Sequence, residues 1–428
     1  MKDLYIRYGH EKLYFNVPET FNILTLAEFE ENLCLPDIKK LADDALNNPI
    51  DKLPLENRLK PHHKIAILIE DNTRNSPKKV ILRILLERLK NLSIPGSNIS
   101  IIIALGTHSH LDSDEMVSTY GEEVVKNYSI VNHACLSHDL VPVGKLRSGT
   151  VVKINRRAYE ADFRIGIGSI FPHPINGFGG GGKIMFPGIA NYDAILEHHL
   201  RYAFRKVTLG NLINNPFYDE IISLAHAGKL DFIINSVIDH NDNLHQVVAG
   251  DPVSAHKKGA DICKKIISKT FKKKADITII SAFPYTQATQ LMKPLEAASM
   301  ITKEQGVIIL AGKCTSAFNS TYLDACLEFR IKHKGRLKGA LFEYFDSGQR
   351  IIRDGAPELN MSMAQVILAL ENYRVILFSE EVPQEDAEKL GFIYAATIED
   401  AVNRSAQLRP NPGVNVVPSG GVIIPELK

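Results

Sequence analysis

The chain has 428 residues, 45% hydrophobic and 23% charged, a balance that excludes disorder along its length and implies two domains or one large domain with a satellite. Fifty Lys and Arg against 49 Asp and Glu leave a formal charge of +1, which argues against nucleic-acid or anionic-membrane partners. No apolar run is long enough for a transmembrane helix, and the N-terminal MKDLYIRYGHEKLYF scatters charges where a signal peptide needs an apolar core, so a cytoplasmic chain is expected.

In chain order, short β-branched runs alternate with amphipathic stretches. HKIAILIEDNTR (63–74) reads as a buried strand ending in a polar loop, and SPKKVILRILLERLKNLS (76–93) as a helix with Pro77 in its first turn. ISIIIALGTH (99–108) is a second buried strand, SDEMVSTYGEEVVKNY (113–128) a helix opened by an Asx/Ser cap, and ADFRIGIGSI (161–170) a third strand. Lys272, Lys273 and Lys274 read as a solvated helix end at a domain junction. Beyond them ADITIISA, GVIILAG (306–312), YRVILFS (373–379) and FIYAAT (392–397) resume the rhythm, and the Pro/Gly-rich tail adds a last short strand. The expected fold is therefore α/β: two α/β domains with mainly parallel sheets and an active site in the cleft between them. Their expected limits are 1–272, with 408–428 returning to it, and 273–407.

Cysteines at 34, 135, 263, 314 and 326 are odd in number and lack C-x-x-C spacing, which disfavours a disulfide framework or a Cys-based zinc site. Small buried hydrophobes are the simpler reading.

Ligands of parallel α/β sheets collect beyond the carboxyl ends of strands, where this chain carries Asp71 and Arg74, Thr107 and His108, Pro172 and His173. His108 and His173, at the tips of what read as neighbouring strands, suit two-base chemistry, and the SHD at 137–139 offers an orienting carboxylate. His110, His133 and His138 add to the local density, but H-E-x-x-H spacing is absent. The densest segment is FPHPINGFGGGGKIMFPGIANYDAILEHHLRYAF (171–204). Its Gly177, Gly179 and Gly182 fit G-x-G-x-x-G, and Gly177, Gly182 and Lys183 fit G-x-x-x-x-G-K, but Ile184 stands where a P-loop needs Ser or Thr. The glycines offer close backbone approach and N–H groups to cradle a phosphate or a bulky cofactor. Lys183, between glycines and an apolar run, reads as a solvated lysine or a desolvated amine able to act as nucleophile or attachment point. Of His198 and His199, adjacent on a helix, at most one faces a given site. Gln290 and Lys293, spaced i, i+3, share a helical face, and a lysine at a helix start hints at an anionic ligand.

Together D-N-T-R (71–74), G-T-H (106–108), P-H-P (172–174), G-G-G-K-I-M-F-P-G-I-A (180–190), His199 and Q-L-M-K (290–293) resemble the nickel-pincer lactate racemase family over most of the chain. The resemblance implies a racemase or epimerase of a small-molecule 2-hydroxy acid. Its cofactor is the nickel-pincer nucleotide, a pyridinium-3-thioamide-5-thiocarboxylate mononucleotide, tethered through the thioamide to Lys183. Cofactor-biosynthesis proteins are then implied partners. His199 matches the protein ligand of Ni(II), and a planar site of sulfur, carbon and one imidazole suits that ion. His108 and His173 match the two acid/base histidines, Asp71 and Arg74 line the site with Arg74 placed to hold anionic charge, and Gln290 and Lys293 orient the substrate. Gly179, Gly180 and Gly181 are the expected loop contacts of the cofactor. Hydride removal suits the chemistry, since direct deprotonation would put a carbanion beside a carboxylate.

Two positions depart from the pattern: Ser109 follows His108 and Gly182 precedes Lys183 where Arg is expected in much of the lactate-active branch. Their loss points to a larger or more polar 2-hydroxy acid, or a sugar acid epimerised at C2. The alternative from another class is a nucleotide-binding transferase that uses 177–183 as a phosphate cradle. A third is a non-catalytic metal-binding relative.

Overall fold

The computed structural model describes residues 3–29 and 36–428. Contacts divide the chain into two units, Asn32–Ile266 and a second made of Met1–Glu31 with Ile267–Lys428. The expected limits at 272/273 and 407/408 differ from this division in two respects. The N-terminal residues join the C-terminal half, because the Asn22–Leu26 strand pairs in parallel with Gly413–Val417. The tail stays in that same half, with Gly413–Val417 also beside Ala275–Ser281, and Ile424–Leu427 paired with Ser268–Phe271.

The sheet of the Asn32–Ile266 unit has six strands in the spatial order Leu244–Gly250, Phe232–Ile238, Phe163–Ile170, Ile65–Ile69, Ile99–Ile103 and Ser129–Asn132. All pairs are parallel except the edge hairpin of Phe232–Ile238 with Leu244–Gly250. The Ile65–Ile69 strand is buried throughout because both of its faces are covered, as a central parallel strand requires. Ile65, Ile67 and Ile69 share a core with Ile81, Leu85 and Leu89 of the Lys78–Asn91 helix. Ala66 and Leu68, pointing the other way, meet Ile184, Met185 and Ile189 from the segment after the glycines. Each such fully buried Ile or Leu stabilises the unit by about 1.5–3 kcal/mol. The expected helix over 113–128 is two helices, Ser113–Tyr120 with an Asp112–Glu115 capping box and Glu122–Asn127, parted at Gly121, whose φ is +98°.

The second unit has a wholly parallel sheet in the order Ile393–Ala395, Arg374–Phe378, Thr302–Ala311, Ala275–Ser281, Gly413–Val417 and Asn22–Leu26. Ile277, Ile279, Val307, Ile309 and Val414 form its core with Ile398 and Val402 of the Ile398–Leu408 helix and Ile6 and Phe15 of an N-terminal hairpin. Lys272, Lys273 and Lys274 are exposed as expected, but they lie in the turn between two strands, not at a helix end. Both sheets have a point where the strand order reverses, and crevices for ligands form there. In the first sheet it lies between Ile65–Ile69 and Phe163–Ile170, in the second between Ala275–Ser281 and Gly413–Val417. Among the described residues no helix is long and apolar enough to cross a membrane.

Candidate functional site

The loops leaving the two strands at the first reversal point carry Asp71 and Arg74 on one side, and His173 and the glycine-rich segment on the other. Asp71 is buried; its Oδ1 accepts from the Thr73 backbone N–H and hydroxyl, and its Oδ2 lies 2.6 Å from His108 Nδ1. Burial pushes the carboxyl up, but the hydrogen bond and charge of His108, the charge of Arg74 and the Thr73 hydroxyl outweigh it and hold Asp71 well below the usual carboxylate range. An ionised Asp71 makes His108 Nδ1 the donor, so whenever the ring is neutral its lone pair is on Nε2.

Arg74 donates to the Thr73 carbonyl at 3.0 Å, and its guanidinium sits 4.9 Å from the centroid of Phe171. The carbonyl of Arg74 accepts from Lys78 Nζ, a buried ammonium whose pKa falls with burial. His173 pairs with Gly177 across a hairpin with a three-residue loop, and its Nδ1 accepts from the N–H groups of Ile175 at 3.2 Å and Asn176 at 3.1 Å. The proton of the neutral His173 ring therefore sits on Nε2, the opposite tautomer to His108.

The glycines turn the chain tightly against its neighbours. Gly179 N–H donates to the Phe171 carbonyl at 2.8 Å, and Gly181 N–H donates to Asn235 Oδ1 at 2.8 Å. A single 3-10 turn, Gly181–Ile184, follows them. Two amides of the expected phosphate cradle are thus already satisfied inside the protein, and no long helix begins at the loop. Gly182 packs against the Pro216–Ala227 helix, where an added Cβ would stand 3.0 Å from Ala225 Cβ. That contact leaves little room for the arginine expected at this position.

Lys183 is only partly exposed, and its amine makes no hydrogen bond or ion pair among the described residues. Desolvation and the charge of Arg74 bring it down to about 7. The charge of Lys183 in turn disfavours protonation of His198, His199 and His256, while burial is the larger cause in each. His199 and His256 fall to about 4, so both imidazoles are neutral at physiological pH. His199 Nδ1 donates to the Ile195 carbonyl one turn back at 2.8 Å, which fixes the ring and leaves the Nε2 lone pair for another partner. His198 points elsewhere as expected: it is fully buried, 4.1 Å centroid to centroid from Phe217, with Nε2 donating to the Phe217 carbonyl at 3.1 Å.

In the second unit, Gln290 lies in the 3-10 turn Ala288–Met292, and Lys293 opens the Pro294–Ile301 helix at the reversal point of that sheet. The i, i+3 spacing puts both on one side of the turn, though in a 3-10 geometry instead of the expected helix. Gln290 Oε1 is buried with no hydrogen-bond partner among the described residues, an acceptor still to be satisfied. Lys293 Nζ stands 4.2 Å from the Tyr285 ring centroid.

His108 and His173 do not lie on neighbouring strands: Ile65–Ile69 runs between the two strands that carry them, and it brings Asp71 to His108. Asp139 of the SHD run is exposed and paired with Arg156 instead. His133 is buried against the Ala190 carbonyl at 2.9 Å and pushed down to about 4 by burial. Cys135, Cys263, Cys314 and Cys326 are free thiols, and Cys34 lies outside the described residues. Sequence reading passed over Lys78, Asn235 and His256. Only Lys78 gave a signal, as a lysine in the first turn of a helix, where the dipole disfavours it.

Residues 8–209 match the family described as Lactate racemase N-terminal domain. The lactate racemase of Lactiplantibacillus plantarum is 36% identical over 278 residues, 64% of this chain and 65% of that protein, so the matched region spans just under two thirds of the relative. The lactate racemase of Thermoanaerobacterium thermosaccharolyticum is 29% identical over 99% of both chains. The structure of that enzyme's apoprotein superposes with a TM-score of 0.88, covering 99% of this chain and all of the other at 28% identity. A crystal structure of a Thermotoga maritima protein, 17% identical, gives a TM-score of 0.67 over 92% of this chain and 99% of that one, a likeness of fold alone.

Proposed function

We propose that this chain is a member of the lactate racemase family, an isomerase that inverts a 2-hydroxy acid, lactate or a larger relative, at C2. The observation that carries the mechanism is the pairing of Lys183 with His199. A partly buried amine without an acid partner lies within charge range of a neutral imidazole whose Nδ1 is anchored and whose Nε2 is left to bind. These two groups fit the nickel-pincer nucleotide, Lys183 as its covalent attachment and His199 Nε2 as the protein ligand of Ni(II). Nickel at His199 would draw its remaining donors from the nucleotide itself, whose sulfur and carbon suit that ion.

When bound, the cofactor supplies a hydride acceptor, which side chains lack. The chain's own residues do the rest. His108, with its Nδ1–H held by ionised Asp71, offers Nε2 to the substrate hydroxyl proton, and Asp71 stabilises the imidazolium that results. His173 serves the opposite face as the second acid/base. In the arrangement described, His108 presents a lone pair, whereas His173 becomes a proton donor only as the imidazolium, and the second proton, on Nδ1, disturbs two backbone hydrogen bonds. Arg74 is the proposed holder of anionic charge, and Gln290 and Lys293 are the proposed orienters of the substrate. The Gly179 and Gly181 amides that serve Phe171 and Asn235 are withdrawn from the nucleotide, so for these two the proposal retains close approach only, and Gly180 stays a proposed loop contact.

The test is an intact mass of the chain co-produced with the proteins that make the cofactor, beside Lys183→Ala, followed by racemisation assays across 2-hydroxy acids. A nickel-containing mononucleotide adduct on the unaltered chain alone is the expected result. An unmodified chain from a host proven to load another racemase of the family would sink the reading.

A further inference from the structure

We propose that His256 positions the glycine-rich loop for attachment at Lys183, with its Nε2–H gripping the Gly179 carbonyl and its ring seated against Gly181. The proposal rests on the reading of Lys183 as the attachment point.

His256 lies on the Ser254–Ile267 helix and is fully buried. Its Nε2 is 2.8 Å from the Gly179 carbonyl oxygen, and a carbonyl only accepts, so the ring proton is on Nε2. That leaves Nδ1 to accept from the Tyr218 hydroxyl at 3.4 Å. An added Cβ on Gly181, whose φ is +58°, would stand 2.5 Å from His256 Cγ, so the ring occupies the space a side chain would need. Asn235, from the Phe232–Ile238 strand, takes the Gly181 N–H at 2.8 Å. The backbone leading into Lys183 is thus gripped by side chains from two elements, four and two residues before the lysine.

The choice of imidazole has a physical reason. A donor is needed at the Gly179 carbonyl in a buried place near the Lys183 charge, where a second cation would be repelled. Burial, reinforced by the charge of Lys183, holds His256 down to about 4, so it donates without carrying charge. An apolar side chain of similar volume would fill the space but leave the Gly179 carbonyl unpaired.

Two variants separate gripping from filling. His256→Gln returns an N–H to the Nε2 position, whereas His256→Asn reaches only as far as Nδ1. In the unloaded chain, hydrogen exchange of the 178–183 backbone amides is expected to be about tenfold faster in the Asn variant than in the Gln variant or the unaltered chain, the effect of one lost buried hydrogen bond. In chains co-produced with the cofactor-making proteins, the fraction carrying the Lys183 adduct is expected to fall about tenfold for Asn and to be retained for Gln. Equal exchange and equal loading of Gln and Asn, both intact or both lost, would overturn the proposal. If the Asn chain does not fold, Tyr218→Phe takes its place: exchange about two- to threefold faster supports the relay through Nδ1, and unchanged exchange refutes it. An unmodified unaltered chain would overturn the attachment reading and this role with it. The exchange data tell that failure from a failure of the grip, because they report the loop without cofactor.

Discussion

Asp71 Oδ2 and His108 Nδ1 are 2.6 Å apart, on loops that leave two adjacent parallel strands. The pair sets the tautomer of His108 and the ionisation of Asp71 together. Replacing Asp71 by Asn removes the charge while keeping the shape, and turnover by the loaded enzyme is expected to fall about 10²–10⁴-fold with little change in KM. The same variant tests the acid limb of stability. The folded carboxyl is held below its ordinary value, so its contribution is complete above about pH 4 and is lost as pH falls through the folded pKa. The thermal-midpoint gap between the unaltered chain and Asp71→Asn is expected to close below that pH.

Lys183 titrates the other way. Its folded value of about 7 lies below the unfolded value, so the unfolded chain binds more protons between about pH 7 and 10 and stability from this group rises with pH across that window. In the unloaded chain, Lys183→Met is therefore expected to be more stable than the unaltered chain at pH 6, by on the order of 1–3 kcal/mol after solvent screening. The advantage should vanish by about pH 10. Urea midpoints at four pH values measure this directly, and an advantage that grew with pH would refute the depressed amine.

The adjacent histidines of the Tyr192–Tyr202 helix are expected to fail differently. His198→Ala empties a site lined by Phe186, Phe217 and Tyr202 and should cost about 2–4 kcal/mol while nickel content in the loaded chain is kept. His199→Ala should leave the thermal midpoint within a few degrees and lose the nickel. Elemental analysis beside calorimetry checks both at once.

At Gly182, introducing arginine is expected to destabilise the chain by about 1–3 kcal/mol, because the new side chain must displace Ala225 and Ile221. A denaturation midpoint unchanged from the unaltered chain would show that the Pro216–Ala227 helix yields easily, and that a cation beside Lys183 is sterically allowed.

Gln290→Leu is expected to raise KM for the 2-hydroxy acid about tenfold with turnover less affected, since Oε1 is buried without a hydrogen-bond partner among the described residues. Steady-state kinetics of the loaded variant provide the check.

The sequence by itself determined the alternation of strand and helix, because a strand covered on both faces must read as a nearly continuous apolar run rich in β-branched residues, as IAILI and ISIII do. It also singled out the polar loop tips, since Asp71, His108 and His173 stand where a core would place none of them. It could not assign the N-terminal strand Asn22–Leu26 to the sheet of Gly413–Val417, because pairing across that chain distance leaves no local signature. Nor could it pair Asp71 with His108, which depends on which strand lies between which, or show that Gly179 and Gly181 spend their amides on Phe171 and Asn235. Local propensity and hydrophobic period are written residue by residue, whereas strand order and the desolvation around Lys183 arise only when distant segments are packed together.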